Sequence, residues 1–433
     1  MKGGSSLKNT TFERSSINNI RVHVLPTKQF KTFAISVYIG SPLTEETVTP
    51  IALTPHVLRR GTKAYPETKA FREKLDDLYG AGFGFDIFKR GDYQIVQFRM
   101  DIIEDRYVNE SGKSLLAQAI GFLGGAITEP ALEDNHFIEK YVEAEKLTVS
   151  RKIEAVINDK IRYAEERCMQ EMCKNEPYRL FQLGTIEALQ SLSAASLHEK
   201  YRAWLQEAPI DIYVVGNTTL AEVSEYVANA IQLKRESAAT YNLRSTYHEV
   251  KQVRTVIEKL DIKQGKLNMG LRTNATYADE LYSALLMYNG VLGGYPHSKL
   301  FINVREKASL AYYASSRLDG HKGILAIRSG IEMENYEKAS EIIQQQLEAM
   351  RQGDITELEL SQTQAMIANQ LREINDSAFE MISFDYNSVL SGVERSVIEL
   401  IDAIEKVDRP QITKVAQKVQ LDTLYFLRDQ KGD

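Results

Sequence analysis

The two halves of this 433-residue chain repeat one order of elements, and that repetition constrains the fold more than any single motif. Near the start, IRVHVLP and FAISVYIG read as two strands around a Pro-Thr-Lys connection. A helix is predicted over 46–60, and an amphipathic helix over 67–80 ends at Gly80. GFGFDIFKRGDYQIVQFRMDII reads as a hairpin turning at Lys89-Arg90-Gly91-Asp92. Helices follow over 111–126 and 133–176, then the buried strand DIYVVGN (Asp211 to Asn217) and one more helix. The second half restarts with strands in TVIEKLDIKQGKLNMGLRT and a helix in ELYSALLMYNGVLGG that runs into a Gly turn. A hairpin in AYYASSRLDGHKGILAIRSGI and three helices between 334 and 426 complete it. The polar, aperiodic stretch 233–252 is predicted as a linker between units 1–232 and 253–433. Periodicity by itself establishes mixed α and β.

One short stretch carries the chemistry of the first half, chiefly by what it lacks. An inverted zinc-peptidase motif reads H-x-x-E-H on a helix: two His on one face hold the metal, and the Glu activates the metal-bound water. Here Ala52-Leu53-Thr54-Pro55-His56 puts Ala52 at the first His and Pro55 at the Glu, and only His56 remains. Pro50 suits an early turn, whereas Pro55 removes a backbone donor inside the helix, so the helix is expected to kink or to start late. The second half carries a longer pattern over residues 290–316, GVLGGYPHSKLFINVREKASLAYYASS.

Together with the flank Arg60-Gly61-Thr62, these segments resemble the pitrilysin/insulinase zinc peptidases, specifically the short, mitochondrial-processing-peptidase-like type. The resemblance covers about 17–425. It implies an α+β fold of two homologous halves, each an antiparallel sheet with helices on one face, facing each other across a cleft. The N-terminal unit would carry the degenerate zinc motif and the C-terminal unit the Arg/Tyr segment. In active relatives that Arg and Tyr enter the cleft from the half opposite the zinc, contact the substrate backbone and stabilise the oxyanion. Arg305 and Tyr312 stand at those positions, and Gly293 and Gly294 would form a tight turn beside the cleft. The third metal ligand of the family is a Glu on a later helix. The best register puts Lys152 there, with Glu145 as the supporting acid, and a two-residue slip brings in Glu154. An ammonium group offers no lone pair to a metal, and two ligands do not hold zinc tightly. His56 then reads as a structural residue near the cleft.

Bulk properties exclude other classes. A formal net charge of −6 and 26% charged residues give no polyanion-binding face, so no nucleic acid is expected. A phosphate-cradling loop would need Lys-Ser or Lys-Thr after its glycines, and none is present. His23, His136, His198, His248, His297 and His321 show no H-x-x-H or H-x-x-x-H spacing. Cys168 and Cys173 lie off one helical face and read as reduced thiols. The polar N-terminus and the lack of an apolar run of 18 or more residues predict a cytoplasmic protein with no membrane contact.

The expectation is a chain inactive on its own, without a cofactor. As the non-catalytic subunit of a heterodimeric metallopeptidase it would bind peptide or unfolded polypeptide, and a homologous partner with intact H-x-x-E-H would hold the zinc. The alternative is a homodimeric peptide-binding or scaffold protein with no part in proteolysis.

Overall fold

The computed structural model describes residues 11–108, 114–237, 239–243 and 247–430. Two sheets organise it. The first contains β1 (Glu13–Ile17), β2 (Ile20–Pro26), β3 (Thr32–Pro42), β4 (Gly82–Arg90) and β5 (Tyr93–Ile103). After a small separate hairpin of β6 (Leu132–Glu133) and β7 (His136–Phe137), β8 (Ile210–Gly216) completes it in the order β1-β2-β8-β3-β5-β4. The second sheet contains β9 (Arg254–Lys259), β10 (Gly265–Arg272), β11 (Ala311–Asp319), β12 (Ile324–Ile331) and β13 (Gln420–Arg428). Its order is β11-β12-β10-β13-β9. Without β1, both sheets follow one rule: first strand, last, second, fourth, third. The α+β architecture of two homologous halves is therefore visible in the topology itself.

Each sheet departs from the antiparallel expectation at one pair: β2 runs parallel to β8, and β9 parallel to β13. The last strand of each half follows a helix, Ala194–Glu207 or Arg409–Lys418, and parallel pairing needs such a long connection in place of a tight turn. The apolar runs of β3 and β8 reflect burial on both faces, so neither alternates.

The coverage of those faces is also richer than helices on one side. One face of the first sheet packs on its own helices in a core that includes Ile35, Val37, Leu53, Phe98, Leu123 and Trp204. The other face, with Tyr38 and Tyr213, receives Met381, Ile382, Tyr386 and Leu390 from helix Ala378–Ser391 of the second half. Conversely, helix Lys160–Met172 of the first half lays Ala164, Cys168 and Met172 on Ala326, Tyr425 and Leu427 of the second sheet. The halves are interlocked by reciprocal donation of a helix. A cleft of about 750 Å³ remains between them, lined by Arg90, Glu165, Tyr178, Asp319 and His321 among others.

Three other expectations need correction. The predicted helix over 133–176 is two helices, Glu139–Asn158 and Lys160–Met172, broken at Asp159, whose side chain caps the second by accepting from the Arg162 N–H. The last stretch holds five helices and a strand. Thr356, Ser377, Ser396 and Asp408 each start a helix as N-caps, and Gly392 ends one at φ +71°. The degenerate-motif helix, Val48–Leu58, does not start late: it runs through Pro55, which leaves the Ile51 carbonyl without its helical donor. Every residue of that helix is buried, so packing holds it despite the proline. Among its described residues, 233–252 has no helix or strand, yet it is pinned to the first sheet: Arg21 of β2 donates to the Ala239 carbonyl at 2.5 Å, and the Asn242 N–H donates to the Tyr93 hydroxyl of β5 at 3.1 Å.

Candidate functional site

His56 sits on helix Val48–Leu58 one turn after Ala52, and its ring is 1% exposed. Phe85 of β4 meets it edge-on at 4.8 Å between centroids. Nδ1 lies 3.4 Å from the Glu145 carboxylate, which projects from helix Glu139–Asn158. Among the described residues, neither ring nitrogen makes a hydrogen bond. Glu145 is fully buried and accepts from Arg60 Nε at 2.5 Å, with Arg59 3.7 Å away.

The charges act on one another. Burial would raise the Glu145 pKa, but His56, Arg60 and Arg59 outweigh it and hold the carboxyl below its ordinary range. Burial lowers the His56 pKa, and the Lys152 and Arg59 charges add to that against the opposing pull of Glu145. His56 is thereby kept neutral. Lys152 lies one heptad after Glu145 on the same helix, and its pKa is lowered by burial and by repulsion from Arg59. The structure thus brings Lys152 to the His56 cluster; Glu154 is exposed farther along.

This donor set does not fit a catalytic zinc. Ala52 has no lone pair, Pro55 cannot take a proton, and Lys152 places positive charge where a cation would sit. Among the described residues there is no group of three or more His, Cys, Asp or Glu placed to hold a metal.

Arg305 and Tyr312 are elsewhere, on the second half. Arg305 is exposed on the helical turn Phe301–Lys307, its guanidinium over the Phe301 ring at 4.6 Å. Tyr312 is the second residue of edge strand β11 and is 60% exposed; its hydroxyl donates to Glu332 at 2.5 Å. Neither touches the His56 cluster. Gly293 and Gly294 do not form the expected tight turn. They end a widened helical turn, Gly290–Gly294, without positive φ. Gly293 is required for closeness instead: a Cβ there would lie 2.6 Å from the Ser316 backbone nitrogen on β11.

Sequence reasoning missed Arg59, Arg60 and Phe85 as members of the cluster, because their roles depend on where β4 crosses the helix. It also missed a polar network between the halves, buried at Asp211 and His23 and exposed at Arg14. Arg21 grips Asp211 with two bonds of 2.6 Å, and Arg14 grips Asp385 of the donated helix at 2.8 and 2.9 Å. Arg14 also donates to His23 Nδ1 at 2.6 Å. Arginine only donates, so His23 Nε2 carries the proton and donates to Asp211 at 2.8 Å. An acid inside the apolar strand DIYVV was the available signal.

Residues 191–367 match the family described as "Peptidase M16 inactive domain". The chain is 41% identical to "Probable inactive metalloprotease YmfF" of Bacillus subtilis (strain 168), over 97% of this chain and 98% of that protein. The chain belongs to the M16 peptidase family. It is also 26% identical to "Uncharacterized zinc protease YmxG" of the same organism, over 55% of this chain and 58% of that one. Among solved structures it is similar to a conserved protein from Enterococcus faecalis V583, with TM-score 0.89 and 32% identity over 98% of this chain and all of that one. The fold also matches a "peptidase M16 inactive domain" from Pseudomonas fluorescens, TM-score 0.79 at 15% identity, over 98% and 99% of the two chains. The M16 frame is thus retained along the whole chain, and this is a non-catalytic member of the family.

Proposed function

We propose that this M16 chain is the zinc-free subunit of a two-chain peptidase, binding peptide and completing a site whose zinc is held by a homologous partner with intact H-x-x-E-H. The observation that carries the reading is a contrast. The residues at the metal positions are buried or charge-reversed, whereas Arg305 and Tyr312 stand exposed, on adjoining elements at the rim of the second sheet. Arg305 would donate to a substrate carbonyl and Tyr312 to the oxyanion formed when the partner's water attacks. The free edges of β4 and β11 supply backbone donors and acceptors for an extended peptide. Two buried, unpaired cysteines suit a reducing cytoplasm, and no helix of the described residues is long and apolar enough to cross a membrane.

The test is reconstitution with the zinc-bearing homologue from the same cells, scored by peptide cleavage. Neither chain alone should match the pair, and Tyr312→Phe in the pair should lower kcat by about 10²–10³ if that hydroxyl serves the oxyanion. A pair whose rate is indifferent to Arg305→Ala and Tyr312→Phe would refute the division of labour. One observation favours a second reading, a homodimeric binding or scaffold protein: Tyr312 is already satisfied within its own chain by Glu332. Self-association with no affinity for a zinc-bearing homologue would select it.

A further inference from the structure

We infer that the vestigial metal site is a carboxylate-binding site in which Arg59 and Lys152 receive a negatively charged group of the bound peptide, either its C-terminus or an acidic side chain. The inference rests on the peptide-binding reading above and adds the class of peptide.

Two cations, Arg59 and Arg60, flank one buried carboxylate, Glu145, and a third, Lys152, follows it one heptad along the same helix. Arg60 takes one oxygen of Glu145 at 2.5 Å, whereas Arg59 is 3.7 Å from the other, beyond hydrogen-bond reach. Lys152 makes no hydrogen bond or ion pair among the described residues. Asp86 on neighbouring β4 attracts it, but that carboxylate is engaged by Arg99. Two cations are therefore left short of an acceptor.

The same two cations reach solvent. The Arg59 side chain is 46% exposed, and Lys152 is exposed on its helix. They repel each other, and that repulsion adds to burial in lowering the Lys152 pKa. A carboxylate bridging them would remove that repulsion and gain charge-assisted hydrogen bonds. The apolar wall of the site is Phe85, met edge-on by His56 and faced by the Arg59 guanidinium at 5.6 Å. Phe85 belongs to β4, whose outer edge pairs with no strand among the described residues, so an extended chain has access to the spot. Charge reversal at the ligand positions thus exchanges the binding of a cation for the binding of an anion.

The experiment uses the full chain and four fluorescent peptides of one sequence, read by anisotropy. One has a free C-terminal carboxylate, one a C-terminal amide, and two amidated versions carry an internal Glu or Gln. The free acid or the Glu peptide should bind about tenfold to a hundredfold more tightly than its neutral counterpart. That preference should vanish in Arg59→Gln/Lys152→Gln with the neutral peptides unaffected, and it should shrink with added salt. Which acidic peptide is preferred distinguishes terminus from side chain. Both substituted side chains are exposed, so core packing stays intact. Equal binding of all four peptides would overturn the carboxylate site and leave the peptide-binding reading standing. Absence of binding by any of them would overturn both.

Discussion

If the halves are interlocked, a cavity cut in the second half's donated helix must weaken the first half. Tyr386 is the residue to test. It is 2% exposed, stacks on Tyr38 at 3.8 Å, and meets the Tyr241 hydroxyl at 2.6 Å. Removing an aromatic ring from such a site costs about 3–5 kcal/mol, and the orphaned Tyr241 hydroxyl adds about 1 kcal/mol. Tyr386→Phe should cost only the hydrogen bond, about 1 kcal/mol. The chain supplies its own reporter: its single tryptophan, Trp204, lies in the first half's core, 6% exposed, with its indole N–H donating to the Gly40 carbonyl at 3.1 Å. Urea unfolding followed by Trp204 emission therefore reads the first half alone, while far-ultraviolet circular dichroism reads both. Tyr386→Ala should shift the two transitions together. A Trp204 midpoint that moves by the equivalent of less than about 1 kcal/mol, while the dichroism shifts, would refute the interlock.

Two further outcomes follow from the site. Burial depresses the His56 and His321 pKa values, so between about pH 6.5 and those lower values the unfolded chain takes protons that the folded chain refuses. Stability should fall as pH drops below about 6.5, then further as the depressed carboxyls of Glu145, Glu176 and Asp211 are protonated; a urea midpoint flat from pH 7 to 5 would contradict this. Ala52→His/Pro55→Glu/Lys152→Glu should regain stoichiometric zinc by elemental analysis and lose it again on adding His56→Ala, and a metal-free triple variant would refute the Lys152 register.

The parts of the fold legible in the sequence were those set by local pattern. The hairpin turning at Gly91 appears with β4 ending at Arg90 and β5 starting at Tyr93, because a glycine at φ +53° is what such a turn needs. Helix breaks governed by one capping side chain, as at Asp159 and Ser377, were lost in apolar periodicity that continues across them. The interlock was illegible for a different reason. The apolar face of helix Ala378–Ser391 says that it packs, and nothing local says that the packing partner is a sheet some 340 residues earlier, at Tyr38. At the site, the missing donors Ala52 and Pro55 could be read directly. Arg59 and Arg60 could not, since charge on an exposed helix end looks the same whether or not a buried carboxylate waits opposite.

That buried carboxylate explains how a metal site can lose its metal and keep its shape. Glu145 has no exposed surface, and a lone buried charge costs several kcal/mol unless it is paired. In a zinc-bearing frame the dication supplies the compensating field. Here His56 lies beside the carboxylate, Arg60 bonds to it directly and Arg59 adds attraction through space, so the carboxyl is held below its ordinary range. Restoring the ligands while leaving the arginines should therefore give weaker zinc affinity than removing Arg59 as well, because a resident cation and an incoming one compete for the same field. The comparison is direct: the triple variant with and without Arg59→Gln, titrated against a chelator. If Arg59→Gln leaves zinc affinity unchanged, the arginine's charge does not reach the metal position, and the account of this site as one whose charge was exchanged rather than merely lost is wrong.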